Sequence, residues 1–166
     1  MRAKIMASAV LTLVAQRALG APGLPTWPSE IILPTVLIVA ASLRLRERRW
    51  PYEVLLLGLG WDLLFEPVIG PGGIAWSAAA LCLHALASFV ADRSTKAWFG
   101  FGAVGALVIT VVHEVALLPL GLGASMTVPH ILRTTILTGL WCGLVSAVLR
   151  IDIPTRWRAH RARKLR

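Results

Sequence analysis

Apolar residues dominate this chain in six long runs, and polar or turn-forming residues separate one run from the next. Several runs are shorter than the roughly 20 residues that an upright membrane-spanning helix needs, so we expect tilted or broken spans. We expect the third span to be short or broken. The runs cover residues 5–19, 30–43, 52–66, 73–91, 97–118 and 128–149.

Composition favours an integral membrane protein over a soluble domain. Of the 166 residues, 57% are apolar and only 15% are charged, whereas soluble domains have about a quarter charged residues. The mean hydropathy is +0.73. We therefore predict an all-α fold with six transmembrane helices in residues 1–149 and a basic tail in 150–166. The first run has features of a signal peptide, but we expect it to be retained as a span because no soluble domain follows it.

Positive charge is confined to alternate connections between the runs. The chain start, the second and fourth connections, and the tail carry two, four, two and seven Lys or Arg residues, which leaves only Arg17 and Arg133 elsewhere. By the positive-inside rule, both termini are then cytoplasmic. This distribution also accounts for the net charge of +9 without a nucleic-acid partner, since the charge is spread over short connections as a topology signal and does not form a nucleic-acid-binding platform.

Aromatic residues and the basic tail indicate contacts with the membrane surface. Five aromatic residues lie near predicted span ends, as interfacial residues do: Trp27, Trp50, Tyr52, Trp76 and Trp98. We predict that the tail contacts anionic lipids, and a cytoplasmic protein partner is the alternative. The residues of this contact are Arg156, Arg158, Arg161, Arg163, Lys164 and Arg166.

Two carboxylates lie within the third run. Gly58, Asp62 and Glu66 recur every four residues, so they share one face of a helix. Proline disfavours helical geometry in the residue before it, and a glycine-rich stretch cannot continue a helix, so the span ends just after Glu66. The turn residues are Pro67, Gly70, Pro71, Gly72 and Gly73.

An ionised carboxylate at membrane depth needs a cation or hydrogen-bond donors. We predict a buried polar cluster in the outer half of the bilayer, in which Arg17 and Arg133 are shared among Asp62, Glu66 and Glu114. The alternative for Asp62 is that it caps backbone amides at the turn where the fourth helix begins.

Catalytic motifs in the membrane runs are incomplete. A zinc metalloprotease needs HExxH, but His113-Glu114 is followed by Leu117 in place of the second histidine. An aspartyl intramembrane protease has GxGD and a second membrane aspartate, whereas this chain has GLGWD. We therefore predict no enzyme activity, no metal and no cofactor, and we interpret Cys82 and Cys142 as packing residues.

Glycines mark where helices can approach closely. Small residues separated by about one turn let two helix backbones come near each other. We expect this of Gly58, Gly60, Gly102, Gly105, Gly139 and Gly143.

The order of these features resembles the MreD family of the bacterial cell-elongation machinery. A basic start and a span with Gln16 precede PSEIILPTVLIVAASLRLRERR. The stretch GLGWDLLFEPVIGPGGIAWSAAALCLHALASFVADR is then similar to the family's glycine-rich span, Asp-Leu-Leu, Gly/Pro turn and Ala/Leu-rich span ending in charge. One departure is the FEPVI insertion between Asp-Leu-Leu and the turn.

The resemblance implies a non-enzymatic, multi-pass scaffold in the bacterial cytoplasmic membrane. Such a scaffold binds the single-span coiled-coil protein MreC, and through it MreB filaments and the glycan polymerase and transpeptidase pair. The family also resembles, in its six-helix fold, the substrate-binding S components of vitamin transporters, which are the alternative. A vitamin site needs hydrogen-bonding groups and a closing loop, and the outer connections here are short and offer Trp27 and little else.

Overall fold

A computed structural model describes residues 2–22, 26–44, 50–90, 94–122 and 127–150. Within these residues all regular secondary structure is helical, as the sequence predicts. The α-helices are α1 (Arg2–Leu19), α2 (Thr35–Arg44), α3 (Trp50–Phe65), α4 (Pro71–Phe89), α5 (Thr95–Leu117) and α6 (Val128–Arg150), and a 3-10 turn (Leu118–Leu120) extends α5. The predicted lipid contacts Arg156, Arg158, Arg161, Arg163, Lys164 and Arg166 lie outside the described residues.

Three helices of the described chain are long and apolar enough to cross a membrane. They are Pro71–Phe89, Thr95–Leu120 and Val128–Leu149, with 19, 26 and 22 residues. At a rise of about 1.5 Å per residue, even the shortest is close to the roughly 30 Å of the hydrocarbon core. The apolar part of α1, Ala7–Leu19, is shorter. Six spans and two cytoplasmic termini stay predictions.

The third helix is short, as predicted, and unbroken. It has 16 residues, and the described part of α2 is shorter still, with 10. Pro34 explains why α2 is short. It disfavours helical geometry at Leu33 and lacks an N–H group, so α2 begins only at Thr35, the residue after the proline. The apolar residues ahead of Pro34 belong to irregular backbone.

Helix α5 lies at the centre of the bundle. It packs against α4 on one side and α6 on the other, while α3 packs on α4, α2 touches α4, α5 and α6, and α1 lies against α3. The predicted contact with the membrane surface is wrong for Trp76 and Trp98, which are 1% and 2% exposed and belong to the core. Both belong to the same cluster of buried residues as Ala79.

Some of the predicted packing glycines lie at very close helix contacts. A Cβ atom on Gly102 would lie 2.7 Å from the Cys142 sulfur, and one on Gly139 would lie 3.0 Å from the Phe99 carbonyl oxygen. A Cβ atom on Gly105 would lie 3.1 Å from a methyl carbon of Leu83 on α4. Glycine is thus required for the close approach of α5 to α6 at Gly102 and Gly139, and to α4 at Gly105.

Two other glycines have more room. A Cβ atom on Gly143 would lie 3.6 Å from Phe99, and one on Gly60 would lie 3.4 Å from Leu13, both of which are tolerable contacts.

Candidate functional site

One carboxylate holds the turn between α3 and α4. Asp62, in the last turn of α3, is fully buried. Its Oδ2 accepts hydrogen bonds from the backbone N–H of Gly70 at 2.7 Å and of Gly73 at 3.3 Å, and its Oδ1 accepts one from Gly72 at 2.8 Å. Of the two predicted arrangements, the structure has the amide cap.

The start of α4 explains why a carboxylate lies there. The first N–H groups of a helix have no partner within it, and the helix dipole places partial positive charge at this end. Gly70 is the N-cap and supplies no side chain, and Pro71 has no N–H to satisfy. Asp62 therefore supplies from α3 the acceptors that α4 lacks.

Glycines make this arrangement possible. A Cβ atom on Gly72 would overlap the Asp62 carboxylate, and one on Gly58 would lie 2.7 Å from the Gly72 carbonyl oxygen. Gly70 has φ +134°, a region that other residues rarely adopt. We call Gly58, Asp62 and residues 70–73 together the Asp62 turn.

Glu66 has a different partner from the one predicted. It lies just beyond α3, and its Oε1 is 3.6 Å from Nε2 of the largely buried His113 on α5. This contact becomes an ion pair when His113 is protonated. Glu114, the next residue on α5, is partly buried.

The two arginines lie elsewhere than predicted. Nε of Arg133 is 2.9 Å from Oε2 of Glu30, an ion pair without hydrogen-bond geometry. The guanidinium of Arg17 lies over the Phe65 ring, 5.8 Å from its centre, which is a cation–π contact. The prediction that these arginines neutralise Asp62 and Glu66 is therefore wrong. The α4 amides are close to Asp62 because Gly58 brings α4 against α3.

The structure contains a second polar site that the sequence did not predict. It surrounds residues 29–34, which we call the pre-α2 segment. Leu33 N–H donates to Gln16 Oε1 at 2.8 Å, and Gln16 Nε2 donates to the Ser29 carbonyl at 3.1 Å. From α6, Thr138 Oγ1 accepts from Ile32 N–H at 3.1 Å, and Trp141 Nε1 donates to the Leu33 carbonyl at 3.3 Å.

These contacts solve one physical problem. Irregular backbone buried in an apolar interior must find hydrogen-bond partners, because no water is there to supply them. Ile32, Leu33 and Pro34 are all buried, and so are Gln16 and Thr138. Isolated polar residues inside apolar runs were the available signal for this site, but local spacing does not say what they bind.

Neither polar site has the side chains of a metal centre. No group of three or more His, Cys, Asp or Glu side chains in the described parts of the chain is arranged to hold an ion. The side chains of the two polar sites provide hydrogen-bond partners for backbone N–H and C=O groups of this chain.

The fold and these sites fit the class of helical membrane proteins. Within the described residues the structure is all-helical, with three helices apolar and long enough to cross a bilayer. Comparisons with protein-family models, with curated proteins and with solved structures found no match.

Proposed function

We propose that this chain is a non-enzymatic scaffold subunit of the MreD type in the bacterial cytoplasmic membrane. In this role it holds a single-span coiled-coil partner of the MreC type. Through that partner it is linked to MreB-like filaments and to the glycan polymerase and transpeptidase pair. The proposal assumes six spans and two cytoplasmic termini, which is the topology that the charge distribution predicts.

The environment of Asp62 is the observation that carries the proposal. Asp62 lies at the centre of the resemblance, in Asp-Leu-Leu, and is the charged residue most suited to chemistry inside the membrane. A catalytic or ion-carrying carboxylate must reach a substrate or exchange protons. Asp62 is instead fully buried, with both oxygens bonded to backbone amides of α4. This supports a structural role.

The second polar site also favours a scaffold over a vitamin-binding S component. A small-molecule site needs polar groups that converge on the ligand. Here Gln16 and Thr138 direct their hydrogen bonds to backbone of the pre-α2 segment. These groups stabilise the bundle, and the apolar outer faces of the helices are left for a partner helix.

Co-purification tests the proposal. The tagged chain is extracted from native membranes in mild detergent, and the bound proteins and small molecules are identified by mass spectrometry. We expect a stoichiometric single-span coiled-coil protein. A retained vitamin-like molecule without such a protein overturns the scaffold and supports the S component.

A matched pair of variants connects this result to the site. Asp62→Ala removes the amide cap, and Glu53→Gln changes an exposed carboxylate on the same helix. We expect Asp62→Ala to insert into the membrane but recover less partner, and Glu53→Gln to match the parent. Equal recovery with Asp62→Ala contradicts the structural role of Asp62.

A further inference from the structure

An apolar groove of about 690 Å³ lies among α5, α6 and the chain ahead of α2. This is within the roughly 300–1,000 Å³ of typical ligand sites. Its lining in the described residues is apolar apart from Thr95 and Lys96, which belong to the first turn of α5.

The groove has two different ends. Toward one end, the lining includes Trp27 and Ile31 together with Trp141, whose Nε1 donates to the Leu33 carbonyl. Toward the other end, the first turn of α5, with Lys96, packs on the later part of α6, since a Cβ atom on Gly143 would lie 3.8 Å from the Thr95 carbonyl oxygen. The groove is thus bounded by the irregular chain before α2 on one side and has a cation on the other.

The length of the groove matches one leaflet of a bilayer. Its lining on α6 extends from Leu137 to Ala147, a rise of about 15 Å at 1.5 Å per residue. This is half of the roughly 30 Å hydrocarbon core. A partner helix crossing both leaflets would extend well beyond this part of α6.

We propose that the groove binds an acyl chain of an anionic phospholipid whose phosphate lies at Lys96. Such a lipid has an anionic headgroup at one end and an acyl chain that extends through one leaflet. The headgroup would lie at Lys96, the one lysine of the lining, and the acyl chain along the apolar wall. The start of α5 adds the positive end of a helix dipole to this charge. In the topology that the charge distribution predicts, the lysine end faces the cytoplasmic leaflet, where anionic lipids give a negative surface potential.

This inference depends on the chain lying in a membrane and not on the scaffold function. Lipid recognition by the groove and partner binding can therefore be measured separately.

Fluorescence quenching tests the proposal, because two tryptophans line the groove. The full chain is reconstituted in phosphatidylcholine vesicles containing a small fraction of lipid with brominated acyl chains, either phosphatidylglycerol or phosphatidylcholine. The Trp27→Phe and Trp141→Phe variants identify the signal of each groove tryptophan. We expect the brominated phosphatidylglycerol to be preferred by about fivefold, the factor expected of one basic residue at the membrane surface.

Two variants separate specific binding from general contact with lipid. Lys96→Gln should abolish the preference, while Lys4→Gln, which removes one positive charge from the chain start, should keep it. Gly143→Leu should fill the groove and reduce quenching by both brominated lipids, since a Cβ atom there has room. Unchanged helical content by circular dichroism verifies that each variant is folded.

Three results would overturn the proposal. The first is equal quenching by the two brominated lipids in the parent, and the second is a preference that survives Lys96→Gln. The third is a photo-crosslinker at Leu144 that captures a single-span protein in native membranes, which would make the groove a helix-docking site. Loss of the partner from co-purification with the lipid preference intact would instead count only against the scaffold function.

Discussion

The Asp62 turn and the pre-α2 segment meet the same requirement in different ways. Each holds irregular backbone inside an apolar bundle and provides acceptors for its N–H groups. In the Asp62 turn one carboxylate accepts from three amides that are 8 to 11 residues away. In the pre-α2 segment neutral side chains of α1 and α6 make the contacts, from 13 to 108 residues away.

This difference indicates what each site stabilises. The Asp62 turn closes a hairpin of two consecutive helices, so its effect is local and depends on one side chain. The pre-α2 segment joins three helices that are distant in sequence, and its contacts are divided among several side chains. We therefore expect single substitutions to have larger effects at the first site and smaller effects at the second.

Removing the carboxylate is the strongest test of the comparison. Asp62→Ala leaves two buried amides and one partly buried amide without acceptors, and each buried one costs about 1–3 kcal/mol. We expect the free energy of unfolding to fall by about 3 kcal/mol or more, and Tm in detergent to fall by roughly 10 °C. Asp62→Asn keeps one acceptor oxygen and should lie between this variant and the parent. A Tm equal to that of the parent in Asp62→Ala would contradict the role of the cap.

Adding a methyl group tests the fit of the turn. Gly58→Ala places a Cβ atom against the Gly72 carbonyl, whereas Gly60→Ala on the same helix has room. We expect Gly58→Ala to cost about 1–3 kcal/mol through overpacking and Gly60→Ala to have little effect. The measurement is Tm of the two variants side by side. Equal Tm values would mean that α4 can move away from α3 at little cost.

Single substitutions at the pre-α2 segment should have smaller effects. Thr138→Val keeps the side-chain shape and leaves Ile32 N–H without its acceptor, and Gln16→Leu does the same to Leu33 N–H. We expect a cost of about 1 kcal/mol for each. Hydrogen exchange by mass spectrometry should become faster in residues 29–34 while residues 70–73 stay protected. Faster exchange in both segments would show that the two sites are coupled.

The ion pair at the bundle surface should matter least. The Arg133 side chain is 56% exposed and the Glu30 side chain 12%, and an ion pair with one partner open to the surroundings contributes about 0–1 kcal/mol. We expect Arg133→Gln to change Tm by no more than a few degrees. A loss as large as that of Asp62→Ala would reverse the proposed order of the sites.

The sequence predicted the parts of this structure that depend on nearby residues. The all-helical fold follows from the apolar runs, and the cap of α4 was one of two arrangements predicted for Asp62. Both could be inferred because Asp62 and its glycine-rich turn are close together in the chain. The apolar residues before Pro34 were assigned to a helix because composition alone does not show that their backbone is bonded to other helices.

The remaining differences come from contacts between distant residues. The partner of Arg133 depends on how the chain before α2 packs against α6, and the burial of Trp76 depends on which face of α4 meets α3. Neither is encoded in the spacing along one helix. Tryptophan is common both at membrane interfaces and in cores, so position near a span end did not distinguish the two.

The contact between Ile32 and Thr138 also has a consequence for the order of synthesis. Thr138 is made 106 residues after Ile32, which at about 5–20 residues per second corresponds to roughly 5–20 seconds. During that interval the Ile32 amide lacks its final acceptor. Biogenesis of the protein must therefore shelter or hydrate this part of the chain until α6 is made, so α6 completes the pre-α2 segment.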